Sequence, residues 1–191
     1  MYQLQKYKNI KFSRNSILFI FSFLVAIFGF SCQSNDSKNG KVYSQKEIKE
    51  TLLRVNKQLV ENEDETIEDF ISRYKWKMNK TGTGFRYWIY KNGGGKKAEN
   101  NKVAKFNYTV KLLTGDVIYS SMISGPKEFL IGRGGVESGI EEGILFLRVG
   151  DKAKFIIPSH LAFGLQGDQN KIPAKASLVY DIELIEINDK N

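Results

Sequence analysis

The chain has 191 residues with 29 basic and 21 acidic side chains, a formal net charge of +8. Residues 1–31 hold four of the basic residues and none of the acids, so the remainder carries a balance of only +4, which is ordinary for a globular surface. Without a dense Lys/Arg stripe, nucleic acid is excluded as an expected partner, and a single histidine and a single cysteine exclude a zinc site built from Cys/His clusters.

A basic leader and a short apolar run open the chain. Ile17 to Phe30 gives fourteen nearly unbroken apolar residues, fewer than the roughly 20 that a membrane span requires, and such a run is typical of a signal peptide. Cys32 follows the run and resembles the acylated first residue of a bacterial lipoprotein. We therefore expect residues 1–31 to be a lipoprotein signal peptide, with the body lipid-anchored in the cell envelope, at the periplasmic face of the outer membrane. The alternative is an uncleaved N-terminal anchor in which Cys32 has no role.

Two helix-start patterns follow the leader. Residues 32–43 are polar and without an apolar period, which predicts a flexible tether. The sequence Ser44-Gln-Lys-Glu47 is a capping box, and apolar residues at helical spacing come after it. A second box, Thr66-Ile-Glu-Asp69, predicts the start of another helix. Residues 44–79 are therefore predicted to be a helical segment.

After Gly82 the apolar period changes from that of a helix to the two-residue period of a strand. Glycine-containing turns separate the periodic stretches, at Asn92–Gly95 and Thr114–Asp116. The predicted strands cover 85–89, 104–112, 129–131, 152–157 and 178–187. A short helix is expected at the Ser138-x-x-Glu141 capping box. Together they indicate an antiparallel α+β domain from about residue 83 to the end.

Two features that could suggest other chemistry are better explained as loops. His160 is next to Ser159, but adjacent loop residues rarely act as nucleophile and base, and no nucleophile-elbow motif accompanies them. We expect His160 to be an exposed loop residue. The segment Gly132-Arg-Gly-Gly135 is glycine-rich, yet Glu137 occupies the last glycine position of a phosphate-binding G-x-G-x-x-G pattern. This segment is predicted to be a turn.

The order of motifs resembles the FK506-binding class of peptidyl-prolyl cis-trans isomerases, from about Thr83 to the C-terminus. The match rests on the short motifs Phe-Asn-Tyr-Thr around Tyr108, Gly-x-Glu-Glu-Gly at 139–143, Ile157-Pro158, Ile172-Pro173 and Leu178–Asp181. The resemblance implies an antiparallel half-barrel sheet wrapped around one short helix, over residues 83–191. It also implies an isomerase that uses neither a cofactor nor a metal and that acts on proline-containing polypeptide clients.

The resemblance also implies which residues form the proline pocket. The backbone N–H of Glu137 falls where the family donates a hydrogen bond to a substrate carbonyl. The implied pocket side chains are Tyr108, Ile118, Phe129, Val136, Ile140, Phe163, Ile172 and Tyr180. Five positions depart from the residues that the family commonly has there: Ile118, Tyr119, Lys127, Ile140 and Phe163.

With its leader and N-terminal helices, the chain is most similar to the isomerase-type lipoproteins associated with gliding motility in Bacteroidetes. The first hypothesis is therefore a membrane-tethered isomerase that assists the folding of exported or envelope proteins. The alternative is a non-catalytic binding or chaperone module of an envelope machine, which Lys127 and Tyr119 favour. Residues 44–79 could form dimers, clamp clients or pack on their own domain, so the oligomeric state is left open.

Overall fold

A computed structural model of the chain describes residues 43–190; the predicted signal peptide, Cys32 and nearly all of the predicted tether lie outside the described residues. The described elements, in chain order, are α1 (Gln45–Tyr74), β1 (Asn79–Lys80), β2 (Arg86–Lys91), β3 (Lys102–Leu112), β4 (Val117–Ser120), α2 (Ser121–Ser124), β5 (Lys127–Leu130), α3 (Ser138–Ile144), β6 (Lys152–Ile157), a 3-10 turn (Ser159–Leu161) and β7 (Leu178–Asp189).

All seven strands belong to one antiparallel sheet. The strand order is β1-β2-β6-β7-β3-β4. One edge of β3 pairs with β7 along its whole length. The other edge pairs with two strands in turn, with β5 at residues 103–106 and with β4 at residues 109–111. The predicted antiparallel α+β architecture with one short helix against the sheet is confirmed.

The short helix α3 packs closely on the inner face of the sheet because two of its residues have no side chain. A Cβ atom at Gly143 would lie 2.5 Å from the ring of Phe155 and 2.6 Å from that of Phe85. A Cβ atom at Gly139 would lie 2.3 Å from a methyl group of Ile157. Glycine at both positions therefore sets the depth of α3, and with it the place of Ile140, which is fully buried.

Helix α1 is a single helix, so the prediction of a second helix beginning at Thr66 is wrong. The Thr66 hydroxyl donates to the carbonyl of Asn62 at 2.8 Å, a bond made inside a helix rather than at its start. No Gly or Pro interrupts 45–74, so the backbone has no reason to break there. The helix ends at Tyr74, and the last residues predicted to be helical form a turn and β1 instead.

The second half of α1 is attached to the outer face of the sheet. Ile67 and Phe70 are buried against Ile156 and Val179. Beside them lies Arg86, whose side chain is only 1% exposed. Its Nη2 lies 2.5 Å from an oxygen of Asp64 and 2.9 Å from one of Glu68.

The first half of α1 keeps its apolar side chains in water. Leu52 is 57% exposed and Leu53 is 60% exposed. Three roles were considered for this segment. One of them, packing on its own domain, therefore applies only to the second half of the helix. Within residues 43–190 no helix combines the length and the apolar character that crossing a membrane would require.

The depth of α3 can be tested with Gly143→Ala. The added methyl group would overlap two buried rings, so we expect a loss of about 1–3 kcal/mol in the free energy of unfolding, measured by urea denaturation. Gly94→Ala is the matched control, since a Cβ there meets nothing within 4 Å. Equal stability of Gly143→Ala and the control would contradict the packing described for α3.

Candidate functional site

The central strands β3 and β7 bring their aromatic side chains to the inner face of the sheet. In their register Val110 is opposite Tyr180, and Tyr108 is opposite Ile182. Val110, Tyr180 and Ile182 are buried, and Tyr108 is half-buried. Because side chains alternate along a strand, Tyr108 and Val110 share one face, and the polar side chains of Asn107 and Thr109 lie on the other.

The eight side chains that the resemblance assigned to a proline pocket all belong to the main hydrophobic core of the sheet domain, and we name these eight residues the site cluster. They come from β3, β4, β5, α3 and β7, and from the loops at 131–137 and 162–177. Four are buried: Phe129, Ile140, Ile172 and Tyr180. Four are half-buried: Tyr108, Ile118, Val136 and Phe163. All eight residues thus contribute to the core, and their role in binding stays a prediction.

The cavities in the described part of the chain include five of about 130 to 350 Å³, which lie mostly away from the site cluster. Tyr108 is the one member of the site cluster that lines any of these five, in a cavity of about 300 Å³. The base of the site cluster is closely packed, with Ile140 fully buried and Tyr180 only 4% exposed. A ligand at the site cluster would therefore contact the half-buried side chains first.

The side chain of Glu137 adds a charge to this apolar environment. The Tyr180 hydroxyl donates to Glu137 Oε1 at 2.9 Å, and the Lys127 ammonium lies 3.7 Å from Oε2. The Glu137 side chain is only 9% exposed, and its Oε2 has no hydrogen-bond partner within residues 43–190. Burial, together with the negative charge of Glu137, raises the pKa of Tyr180 far above its ordinary value. Tyr180 therefore stays protonated and remains a hydrogen-bond donor.

The backbone of Glu137 forms the N-cap of α3, and its carbonyl accepts the N–H groups of Ile140 and Glu141. No acceptor for its own N–H is found within residues 43–190. The capping box predicted at Ser138-x-x-Glu141 is not formed, because the helix already includes Ser138.

The carboxylate of Glu141 instead holds the glycine-rich turn before α3. It accepts the N–H of Gly132 at 2.7 Å and that of Gly134 at 2.8 Å. Both glycines have a positive φ, near 80°, which glycine adopts at no steric cost. The predicted turn is confirmed, and these two N–H groups are already used within the chain. Val136 and Glu137 follow directly and are positioned by this turn.

Tyr119, one of the departures noted in the sequence, ties β4 to the loop that carries Phe163 and Ile172. Its hydroxyl donates to Asp168 Oδ2, and Asp168 Oδ1 accepts the N–H of Ile172 at 2.7 Å. Burial acts to raise the pKa of Asp168, but the hydrogen bonds from Tyr119 and from backbone N–H groups outweigh it, so that pKa is lowered. The hydrogen bond to Asp168 raises the pKa of Tyr119. The pair thus stabilises the loop with an ionised carboxylate.

Helix α1 holds the same loop at both ends through one carboxylate. Glu63 accepts the backbone N–H of Ser159 at 2.6 Å and the Ser159 hydroxyl at 3.1 Å. It also accepts the Ser177 hydroxyl at 2.6 Å. Phe163 and Ile172 lie between these two serines, so α1 contributes to the order of the site cluster without belonging to it.

The structure places Ser159 and His160 in different contacts. Ser159 binds Glu63, whereas His160 is exposed and its Nε2 lies 3.0 Å from the carbonyl oxygen of Thr83. His160 is therefore the exposed residue that the sequence predicted. Residues 43–190 contain no group of three or more His, Cys, Asp or Glu side chains arranged to hold a metal ion.

Sequence reasoning missed the polar contacts of the site. It assigned Glu137 a role through its backbone alone and gave no partner to Tyr108 or Tyr119. The Tyr108 hydroxyl lies 2.9 Å from the hydroxyl of Ser124. The sequence did contain a signal for these contacts, because it places Tyr108, Tyr119 and Tyr180 in an apolar region. Buried phenol groups usually find a hydrogen-bond partner.

A family model described as FKBP-type peptidyl-prolyl cis-trans isomerase matches residues 94–185. Among curated proteins, FK506-binding protein 2 of Dictyostelium discoideum is 45% identical over 93 residues, which cover 48% of this chain and 70% of that protein. The FKBP-type peptidyl-prolyl cis-trans isomerase FkpA of Aeromonas hydrophila is 34% identical over 164 residues, which cover 83% of this chain and 60% of that protein.

Two solved structures have a similar fold. The crystal structure of FkpA from Escherichia coli aligns with a TM-score of 0.60 and 25% identity, covering 94% of this chain and 84% of that one. The crystal structure of AtFKBP13 aligns with a TM-score of 0.56 and 32% identity, covering 58% of this chain and 98% of that one.

The bond between Tyr180 and Glu137 can be tested with Tyr180→Phe. Both oxygens of the buried carboxylate would then lack a hydrogen bond, so we expect a loss of about 1–3 kcal/mol in the free energy of unfolding. Urea denaturation measures it, and the loss should shrink in a Glu137→Leu background. Tyr87→Phe is the control, since the Tyr87 hydroxyl bonds nothing within residues 43–190. A loss that persists unchanged with Glu137→Leu would argue against this bond.

Proposed function

Since this chain belongs to the FKBP-type peptidyl-prolyl cis-trans isomerase family, we propose that it catalyses the isomerisation of X-Pro bonds at the site cluster. The observation that supports the proposal is that the eight residues of the site cluster, from five elements and two loops, all contribute to one apolar core. Its substrates are proline-containing polypeptides.

The reaction explains why apolar side chains suffice. Rotation about a peptide bond faces a barrier of about 18–20 kcal/mol, and no covalent bond breaks. The planar ground state is stabilised by resonance that separates charge, and the twisted state has less charge separation, so removal from water favours it. A thousandfold acceleration requires a barrier lower by only about 4 kcal/mol.

We assign each residue of the site a separate role in binding the substrate. Phe163 and Tyr108 are half-exposed and would contact the proline ring, and buried Ile140 and Ile172 would support it. The N–H of Glu137, free within the described residues, would donate to a substrate carbonyl. Tyr180, fixed by Glu137 at 2.9 Å, would close the base of the cluster.

A second candidate function is a non-catalytic binding module for polypeptides. The observation that favours it is the charge at the site, where buried Glu137 lies 3.7 Å from the ammonium of Lys127. Ions keep water close, and a wetter site lowers the rotation barrier less. Such a module would bind prolyl segments without accelerating their isomerisation.

A protease-coupled assay of the wild-type chain on X-Pro tetrapeptides separates the two functions, and the variant Phe163→Ala tests whether the site cluster is the site. We expect the wild-type chain to accelerate isomerisation and Phe163→Ala to lower kcat/KM at least about tenfold, since one apolar wall is lost. Phe146→Ala is the matched control, because Phe146 stacks on Tyr87 at 4.3 Å, outside the site cluster, and should keep its activity within about twofold.

A wild-type rate no faster than the uncatalysed reaction would overturn the enzymatic proposal. Binding of the same peptides without acceleration would then support the non-catalytic module. Equal losses from Phe163→Ala and Phe146→Ala would show that the site lies elsewhere.

We further propose that the chain is anchored to a membrane of the cell envelope by a lipid on Cys32, where it assists the folding of exported or envelope proteins. The support is the leader pattern at residues 1–31. A role in gliding motility is part of the same proposal and is supported by the resemblance described from the sequence.

If Cys32 is lipidated, a radiolabelled fatty acid given to cells should be incorporated into the wild-type chain and not into the Cys32→Ser variant. The variant should also leave the membrane fraction, since a chain without an acyl group loses most of its membrane affinity. A label that persists in Cys32→Ser would exclude this anchor, and membrane retention without label would favour the uncleaved N-terminal segment.

A further inference from the structure

The two most exposed large apolar side chains in the described part of the chain are neighbours. Met122 is 94% exposed and Ile123 is 92% exposed, whereas the next value is 73%, for Leu165. Both belong to the short helix α2. Apolar side chains that stay in water contribute little to folding stability, so the fold gives no reason for this pair.

One edge of β3 pairs first with β5 and then with β4, and helix α2 lies at the gap between these two pairings. The strand pairs with β5 as far as Phe106 and with β4 from Thr109 onward. At the gap, the N–H of Tyr108 donates to the Ser121 hydroxyl at 3.1 Å, and the Tyr108 hydroxyl lies 2.9 Å from that of Ser124. The apolar pair is therefore fixed on both sides to Tyr108, a member of the site cluster.

Local hydrogen bonds hold α2 in one conformation. The Ser120 hydroxyl accepts the N–H of Met122 at 3.2 Å, and the Ser124 hydroxyl donates to the Ser120 carbonyl at 3.1 Å. The N–H of Gly125 donates to the Ser121 carbonyl at 2.9 Å. A surface that is already ordered loses less conformational entropy when it binds. The exposure of Met122 and Ile123 therefore reflects a defined surface.

The chemistry of the surroundings indicates what this surface binds. The ten residues 117–126 carry no charge, in a chain of which 26% is charged. The cavity that Met122 lines also contains Lys152, Asp181 and Glu183, so its charged side chains are not predominantly basic. Nucleic acid and anionic lipid surfaces are bound mainly through Lys and Arg, and none are present in this segment. Met is well suited to variable apolar partners because its side chain is unbranched and polarisable.

We propose that Met122 and Ile123 form a docking surface for apolar residues that flank the target proline in an unfolded polypeptide. This inference rests on the proposed isomerase function, because the pair is contiguous with the site cluster through Tyr108. A long client reaches both the site cluster and α2, whereas a tetrapeptide fills only the site cluster.

The test compares the full chain with the double variant Met122→Ser/Ile123→Ser on two substrates. Removal of the docking surface is expected to lower kcat/KM about tenfold for the proline-limited refolding of a reduced, unfolded protein. For an X-Pro tetrapeptide the same variant should stay within about twofold of the wild-type chain. Urea denaturation of both chains should coincide, since neither side chain is buried.

Leu52→Ser/Leu53→Ser is the matched control, because these leucines are an adjacent exposed pair on α1, and it should keep full activity on both substrates. Two results would overturn the inference alone: undiminished refolding by the α2 variant, or equal losses from the control. If the wild-type chain accelerates neither substrate, the isomerase function fails first and the docking proposal with it.

Discussion

The pairing of β3 with β7 is the constraint on which the rest of the structure depends. The two strands match from Lys102 to Leu112 with one bulge after Lys105. Because side chains alternate, a slip of one residue would turn Tyr180 and the other inward-facing residues out of the core. The opposite edge of β3 then accepts β5 and β4 in turn, and the gap between them fixes where α2 meets Tyr108.

Much of the sheet could be predicted from the sequence because one of its faces is buried. The two-residue apolar period located β6 at its observed bounds and β3 within two residues at its start. The capping boxes were less informative, because the same residues have competing partners. Thr66 bonds backward within a continuous helix, and Glu141 bonds to two glycine N–H groups instead of closing a box with Ser138. Local sequence does not decide between such partners.

At the site, too, some features could be predicted from the sequence and others could not. The apolar members could be assigned by resemblance, because short motifs carry them in a fixed order. The polar contacts could not, because they join residues far apart in the chain. Tyr180 and Glu137 are 43 positions apart, and Tyr119 and Asp168 are 49 apart. Each pair replaces water at a phenol with a carboxylate acceptor that only the tertiary arrangement brings near.

The bonds from Glu63 to Ser159 and Ser177 make the N-terminal helix a structural support of the isomerase domain rather than a detachable arm. A fragment that starts after α1 would lose this carboxylate and the anchorage of both loop ends together. A displacement of α1 is therefore expected to shift both ends of the loop that carries Phe163 and Ile172.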